Sequence, residues 1–144
     1  MKLSTKGRYG VKAMFELARN YGNEPLSIKA IAEKQSISEY YLEQLFGSLR
    51  KAGLITSSRG AMGGYVLSRD PSEISVADIL NVLEGPIEIS ECITDDEMNC
   101  SNAHYCATRL LWMKISSSVN DVINSVTLMD MVNDYKQMNE GKKE

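Results

Sequence analysis

The chain has 144 residues, 43% of them hydrophobic, and a net charge of −3 at pH 7, enough apolar material for one core plus an extension. No run of about twenty apolar residues offers a membrane span, and Met1-Lys2-Leu3-Ser4-Thr5 lacks the apolar core of a secretion signal, so a soluble, cytoplasmic protein without a membrane partner is expected. The modest net charge conceals a division: residues 1–69 carry eleven Lys or Arg against five acids, and residues 70–144 carry five against fourteen. Such a basic half attracts phosphate while an acidic half keeps the remaining surface off it.

Ser4 to Tyr21 reads as a helix starting at Ser4 or Thr5, with Met14, Leu17, Ala18 and Tyr21 on one face. Gly7 and Gly10 weaken it by up to about 1 kcal/mol each relative to alanine. Their presence predicts close approach of another backbone, either a phosphate strand or a partner subunit. Lys6 and Arg8 at the helix start suit phosphate contact.

From Ser27 to Leu67 the pattern is that of a helix-turn-helix followed by a hairpin. Ile28, Ile31 and Ala32 share a helical face, Ser36-Ile37-Ser38 breaks it, and Tyr41, Leu42, Leu45, Phe46 and Leu49 restart it. Ser27 and Ser38 stand as N-caps, and Gly53 closes the second helix in a left-handed conformation. The outward positions Glu39, Tyr40, Glu43, Gln44, Ser48 and Arg50 include groups that read base edges, since Gln pairs with adenine and Glu accepts from the cytosine amino group. Leu54–Ser57 and Tyr65–Leu67 are β-prone and flank a glycine-rich turn, in which Arg59 beside Gly60 is suited to phosphate or the minor groove.

Beyond the turn Arg69-Asp70-Pro71, Ser75 caps a helix through Leu83 that braces the unit, and Gly85-Pro86 ends it. Periodicity then lapses from Ile87 to Cys106. Here Cys92, Cys100 and Cys106 follow a C-x7-C-x5-C spacing around His104, the one histidine of the chain. An odd cysteine count argues against a structural disulfide set, and thiolates are the ligands that zinc and iron–sulfur clusters share. Three arrangements fit: a zinc site of three cysteines and His104, a cluster on the three cysteines with a fourth ligand, or three free thiols. A long helix from about Tyr105 to Asn124 follows, with Leu111, Ile115, Val119, Val122 and Val126 as a stripe to be buried against its copy in a two-fold dimer. Thr127 caps a last helix carrying Leu128, Met131, Val132 and Tyr135, and a polar tail begins near residue 138. There are no paired carboxylates, nucleophile–base set or phosphate loop, so an enzyme is not expected.

The opening Met1–Gly10, the run Tyr41-Leu42-Glu43-Gln44-Leu45, the wing Arg59-Gly60-Ala61-Met62-Gly63-Gly64-Tyr65 and the three-cysteine segment together resemble the IscR-like bacterial winged-helix regulators across nearly the whole chain. The resemblance implies a homodimer on double-stranded palindromic promoter DNA, with a cluster controlling affinity or sequence preference. It places Glu43 where operator class is selected, Arg59 as the wing arginine, and Ser38, Tyr40, Tyr41 and Gln44 toward the operator. One departure stands out. Where cluster-binding relatives have a histidine three residues after the third cysteine, this chain has Arg109, which cannot ligate; His104 is the candidate substitute.

The expectation is thus a mainly α chain with a small β-hairpin wing. It comprises a winged helix-turn-helix at 1–85, a cysteine segment at 86–106, dimerisation helices at 107–137 and a tail at 138–144. The expected function is a homodimeric regulator controlled by an iron–sulfur cluster, [2Fe–2S] before [4Fe–4S], acting on cluster-assembly genes. The alternative is a cluster-free or zinc-containing repressor of cysteine and sulfur metabolism, in which a sulfur-metabolism protein could be a partner.

Overall fold

The computed structural model describes residues 3–87 and 106–141. Cys92, Cys100 and His104 lie outside the described residues. The chain runs α1 (Thr5–Arg19), α2 (Ile28–Gln35), α3 (Glu39–Lys51), β1 (Ile55–Ser58), β2 (Gly64–Leu67), α4 (Val76–Leu83), α5 (Ala107–Ser125) and α6 (Leu128–Gly141), with a short 3-10 turn at Pro71–Glu73. This is the mainly helical winged-helix architecture the sequence predicts.

Serine oxygens start the helices of the central unit. Ser27 Oγ accepts from the Ala30 amide and Ser38 Oγ from the Tyr41 amide, each at 3.1 Å. Between α2 and α3 the chain turns through Ser36 at φ 55°, the one non-glycine with positive φ among the described residues. Gly53, at φ 81°, ends α3, and its amide donates to Arg50 O. The buried face of α3, formed by Leu42, Leu45, Phe46 and Leu49, packs in one core with Met14 and Leu17 of α1, Ile31 of α2 and Ile79 of α4. Apolar burial of this kind is the main favourable term in folding.

The wing pairs antiparallel, with Ile55 opposite Leu67 and Ser58 opposite Gly64. Its second strand is bridged on its outer side at one residue. Leu26 and Tyr65 exchange backbone hydrogen bonds at 3.1 and 2.7 Å, fastening the wing to the chain just before α2. Gly64 makes this possible, because a Cβ there would strike the Leu26 carbonyl.

At the other end, Ser75 and Asp78 form a reciprocal capping box at the start of α4. Thr127 and Asp130 repeat the same exchange at the start of α6, through bonds of 2.9 and 3.1 Å. The corner between α5 and α6 is held to the body by Val76 N donating to Val126 O and Leu128 N donating to Ile74 O, both at 2.9 Å. Leu128 and Val132 enter the main core, so α6 is part of the body, and it continues through Gly141 where a tail was expected from about residue 138. No helix among the described residues is long and apolar enough to cross a membrane.

Gly64→Ala is expected to destabilise the protein by about 1–3 kcal/mol through backbone displacement at Leu26. Urea unfolding of the variant and wild type measures it, and equal midpoints would show that the wing is not fastened there.

Candidate nucleic-acid interface

The outward face of α3 carries Tyr40, 72% exposed, with Glu43, Gln44 and Arg50 exposed beside it, as the spacing predicts. Arg50 also reaches the wing, its guanidinium donating to Ser57 Oγ at 3.4 Å. Arg59 and Gly60 occupy the exposed tip of the hairpin, where Gly60 has φ 104° and Met62 is 71% exposed. Ser38 is exposed, but its hydroxyl is already engaged as the α3 cap.

Tyr41, at the margin of this face, is half-buried between α3 and α1. Its hydroxyl donates to Thr5 Oγ1 at 3.3 Å, and its ring meets Tyr9 edge-on at 5.8 Å. It therefore buttresses α3 against α1 in this structure, through a hydroxyl contact that is open to solvent.

Lys6 and Arg8 are exposed on the first turn of α1. That turn is held by a residue the sequence reading did not single out. Ser4 has the backbone of an N-cap but makes no side-chain cap bond; instead Glu84 Oε1, from the end of α4, accepts the Ser4 and Gly7 amides at 3.0 Å each and also the Ser4 hydroxyl. A carboxylate at a helix N-terminus opposes the positive end of the helix dipole, whereas an acid at the end of its own helix is disfavoured. The position of Glu84 just before Gly85 was the available signal that its partner lay elsewhere.

The same contact explains the two glycines of α1. A Cβ at Gly7 would lie 2.6 Å from Glu84 Oε1, and one at Gly10 would overlap Leu83 Cδ1. The close approach is made by the last turn of α4 within one chain, which replaces the expected phosphate or partner subunit as the reason for these glycines. Glu16 is a second residue that periodicity missed. It is 3% exposed and accepts from Gln35 Nε2 at 2.7 Å, with Arg19 at 3.4 Å and Lys34 at 3.8 Å. Arg19 in turn lies 4.2 Å over the Tyr135 ring, joining α1 to α6.

Of the predicted thiol and imidazole ligands, Cys106 is described. It is half-buried at the N-cap position of α5, with Sγ 2.9 Å from Thr108 Oγ1. The Thr108 hydroxyl holds its pKa below the ordinary thiol value; the Arg109 amide adds to this, partial burial opposes it, and the Thr108 amide and the Arg109 charge contribute further. That environment fits a thiolate ligand. Among the described residues there is no group of three or more metal-ligating side chains.

A helix-turn-helix with its outward helix exposed, flanked by a basic-tipped hairpin, defines a winged-helix DNA-binding protein. The family model named Rrf2, described as an iron-dependent transcriptional regulator, matches residues 3–134. The HTH-type transcriptional regulator CymR of Bacillus subtilis (strain 168) is 49% identical over 131 residues, covering 91% of this chain and 89% of its own length. IscR of Klebsiella pneumoniae (strain 342) is 38% identical over 136 residues, covering 94% and 82%. Two solved structures are similar. CymR, described as the global cysteine regulator of B. subtilis, has a TM-score of 0.80 and 47% identity over 92% of this chain and 97% of that one. T. potens IscR has a TM-score of 0.79 and 46% identity over 96% and 90%. The chain belongs to the Rrf2 family and is a DNA-binding transcription regulator, not an enzyme.

The Glu84 carboxyl is held below its ordinary value of 4.5, first by the Ser4 hydroxyl, with partial burial opposing and the Gly7 and Ser4 amides and the Lys6 charge assisting. A depressed folded-state pKa gives stability that is present above the unfolded value and lost as pH falls through the folded one. Wild type is therefore expected to exceed Glu84→Gln in unfolding free energy at pH 7, with the gap closing as pH drops below the ordinary carboxylate value. Denaturant titrations across that range check this, and a gap independent of pH would contradict it.

Proposed function

We propose that the protein is a homodimeric repressor that reads palindromic promoter DNA and whose affinity is set by an iron–sulfur cluster on Cys92, Cys100 and Cys106, with [2Fe–2S] before [4Fe–4S] and cluster-assembly genes as targets. The supporting observation is the place of Cys106. It immediately precedes α5, so a group bound to the three thiols is fastened to the base of that helix. A bound cluster supplies a link among thiolates that oxidants and metal supply can break. His104 is the candidate fourth ligand, since Arg109 cannot serve.

In this reading Gln44 and Glu43 meet base edges, Tyr40 and Ser38 flank them at the start of α3, Lys6, Arg8 and Arg50 meet phosphates, and Arg59 with Gly60 follows the minor groove. The dimer is built by α5. None of its residues is buried, and Leu110, Leu111, Met113, Ile115 and Val122 are all exposed. The half-buried apolar positions are Trp112, Val119, Ile123 and Val126, of which only Val119 and Val126 belong to the predicted stripe, so most of its apolar surface is left for another chain. An apolar groove of 690 Å³ between α1, α4 and the end of α5, lined by Leu3, Val11, Leu80, Val126 and Met131, is open on the same body. A second copy reciprocally laying its α5 along this surface covers both features by one two-fold operation.

The second reading, favoured by the 49% identity to CymR of B. subtilis, is a cluster-free or zinc-containing repressor of cysteine metabolism that responds through thiol chemistry or a sulfur-metabolism protein. Anaerobic purification with iron, sulfide and zinc analysis separates the two. Affinity for a palindromic duplex, selected by the protein from a random pool, is measured before and after chelation and oxidation. The cluster reading predicts iron with equal sulfide, visible charge-transfer absorption, and an affinity change on removal that Cys92→Ala lacks. Zinc alone, or no metal after reconstitution, contradicts it and leaves the second reading.

A further inference from the structure

Helix α3 contains an interior glycine, Gly47, that nothing among the described residues requires. Glycine is the least favourable residue in a helix interior after proline. Gly47 is half-buried, yet among the described residues a Cβ built there meets no atom within 4 Å beyond the helix's own backbone, so neither packing nor a close contact calls for its absence. The other described glycines have reasons within the chain. Gly7, Gly10, Gly63 and Gly64 face atoms that a Cβ would strike, four more have positive φ, and Gly141 is the last residue of α6.

The position of Gly47 on the helix supplies a reason from outside. At about 100° per residue it falls opposite the buried stripe of Leu42, Leu45, Phe46 and Leu49. Glu43 and Gln44 precede it by one turn and Arg50 and Lys51 follow by one turn, all four exposed. The first pair has the chemistry that reads base edges and the second the chemistry that binds phosphate. The bare backbone of Gly47 thus lies where the outward face passes from one kind of contact to the other.

We propose that Gly47 is a close-approach position, at which the backbone of α3 lies against the sugar–phosphate wall of the major groove without an intervening side chain. This rests on α3 being the DNA-reading helix, as proposed above. A methyl group there holds the helix off the wall and withdraws Gln44 and Arg50 together from their partners. The free protein has the opposite preference, because alanine suits the helix and has open space to occupy.

The test compares Gly47→Ala and Gln44→Ala with wild type in thermal unfolding and in binding to a palindromic duplex selected by wild type from a random pool. Gly47→Ala is expected to unfold about 2–4 °C higher and to bind the duplex at least about tenfold more weakly. Unchanged or tighter binding by Gly47→Ala, with Gln44→Ala weakened, overturns this proposal alone. If neither variant weakens binding, the reading of α3 as the DNA helix fails and this proposal fails with it. A lower unfolding temperature for Gly47→Ala places the cause inside the fold and likewise overturns it.

Discussion

The last turn of α4 lies against the first turn of α1, and the remaining geometry depends on that seam. Two missing side chains, at Gly7 and Gly10, admit Leu83 and Glu84. The Glu84 carboxylate then takes the place of the missing cap on α1. This fixes the turn that carries Lys6 and Arg8, and through Tyr9 and Tyr41 it sets the back of α3. A basic surface made from three separate elements can follow a phosphate path only if those elements are held at constant angles.

The seam also connects the two halves of the charge asymmetry. Its acidic member, Glu84, belongs to the acidic part of the chain, residues 70–144, and the turn of α1 that it holds belongs to the basic part, residues 1–69. On the opposite side, α4 receives the corner between α5 and α6 through backbone hydrogen bonds at its own start. One eight-residue helix therefore touches α1, α3 and α5. A displacement of α5 relative to the body has a short mechanical route through α4 to α1 and α3, which is the physical content that the proposed coupling needs.

Much of this was legible in the sequence because it rests on local rules. Serines before apolar-periodic runs at 27, 38 and 75 became caps, Gly53 became a left-handed stop, and the alternating run around three wing glycines became the hairpin. Contacts between elements distant in sequence were not legible. Glu84 meets Ser4 and Gly7 across nearly eighty positions, and periodicity carries no information about partners at that range. Glu16 sits at a helical position whose burial depends on Gln35, Arg19 and Lys34 arriving together. Tyr41 lies at the boundary of the apolar stripe, where spacing alone does not decide between the DNA side and the α1 side. Residues around Cys92, Cys100 and His104 lie outside the described part, so the thiol arrangement rests on sequence spacing and on Cys106.

The proposed palindromic recognition and the proposed signal at Cys106 both require two winged helices held at one spacing, and so an α5 shared between two copies. Sedimentation equilibrium on wild type and on the double variant Leu111→Lys, Ile115→Lys measures this directly. Twice the chain mass is expected for wild type and the single-chain mass for the variant, with the variant still folded by circular dichroism. A monomeric wild type, or a double variant that remains fully dimeric, would contradict this.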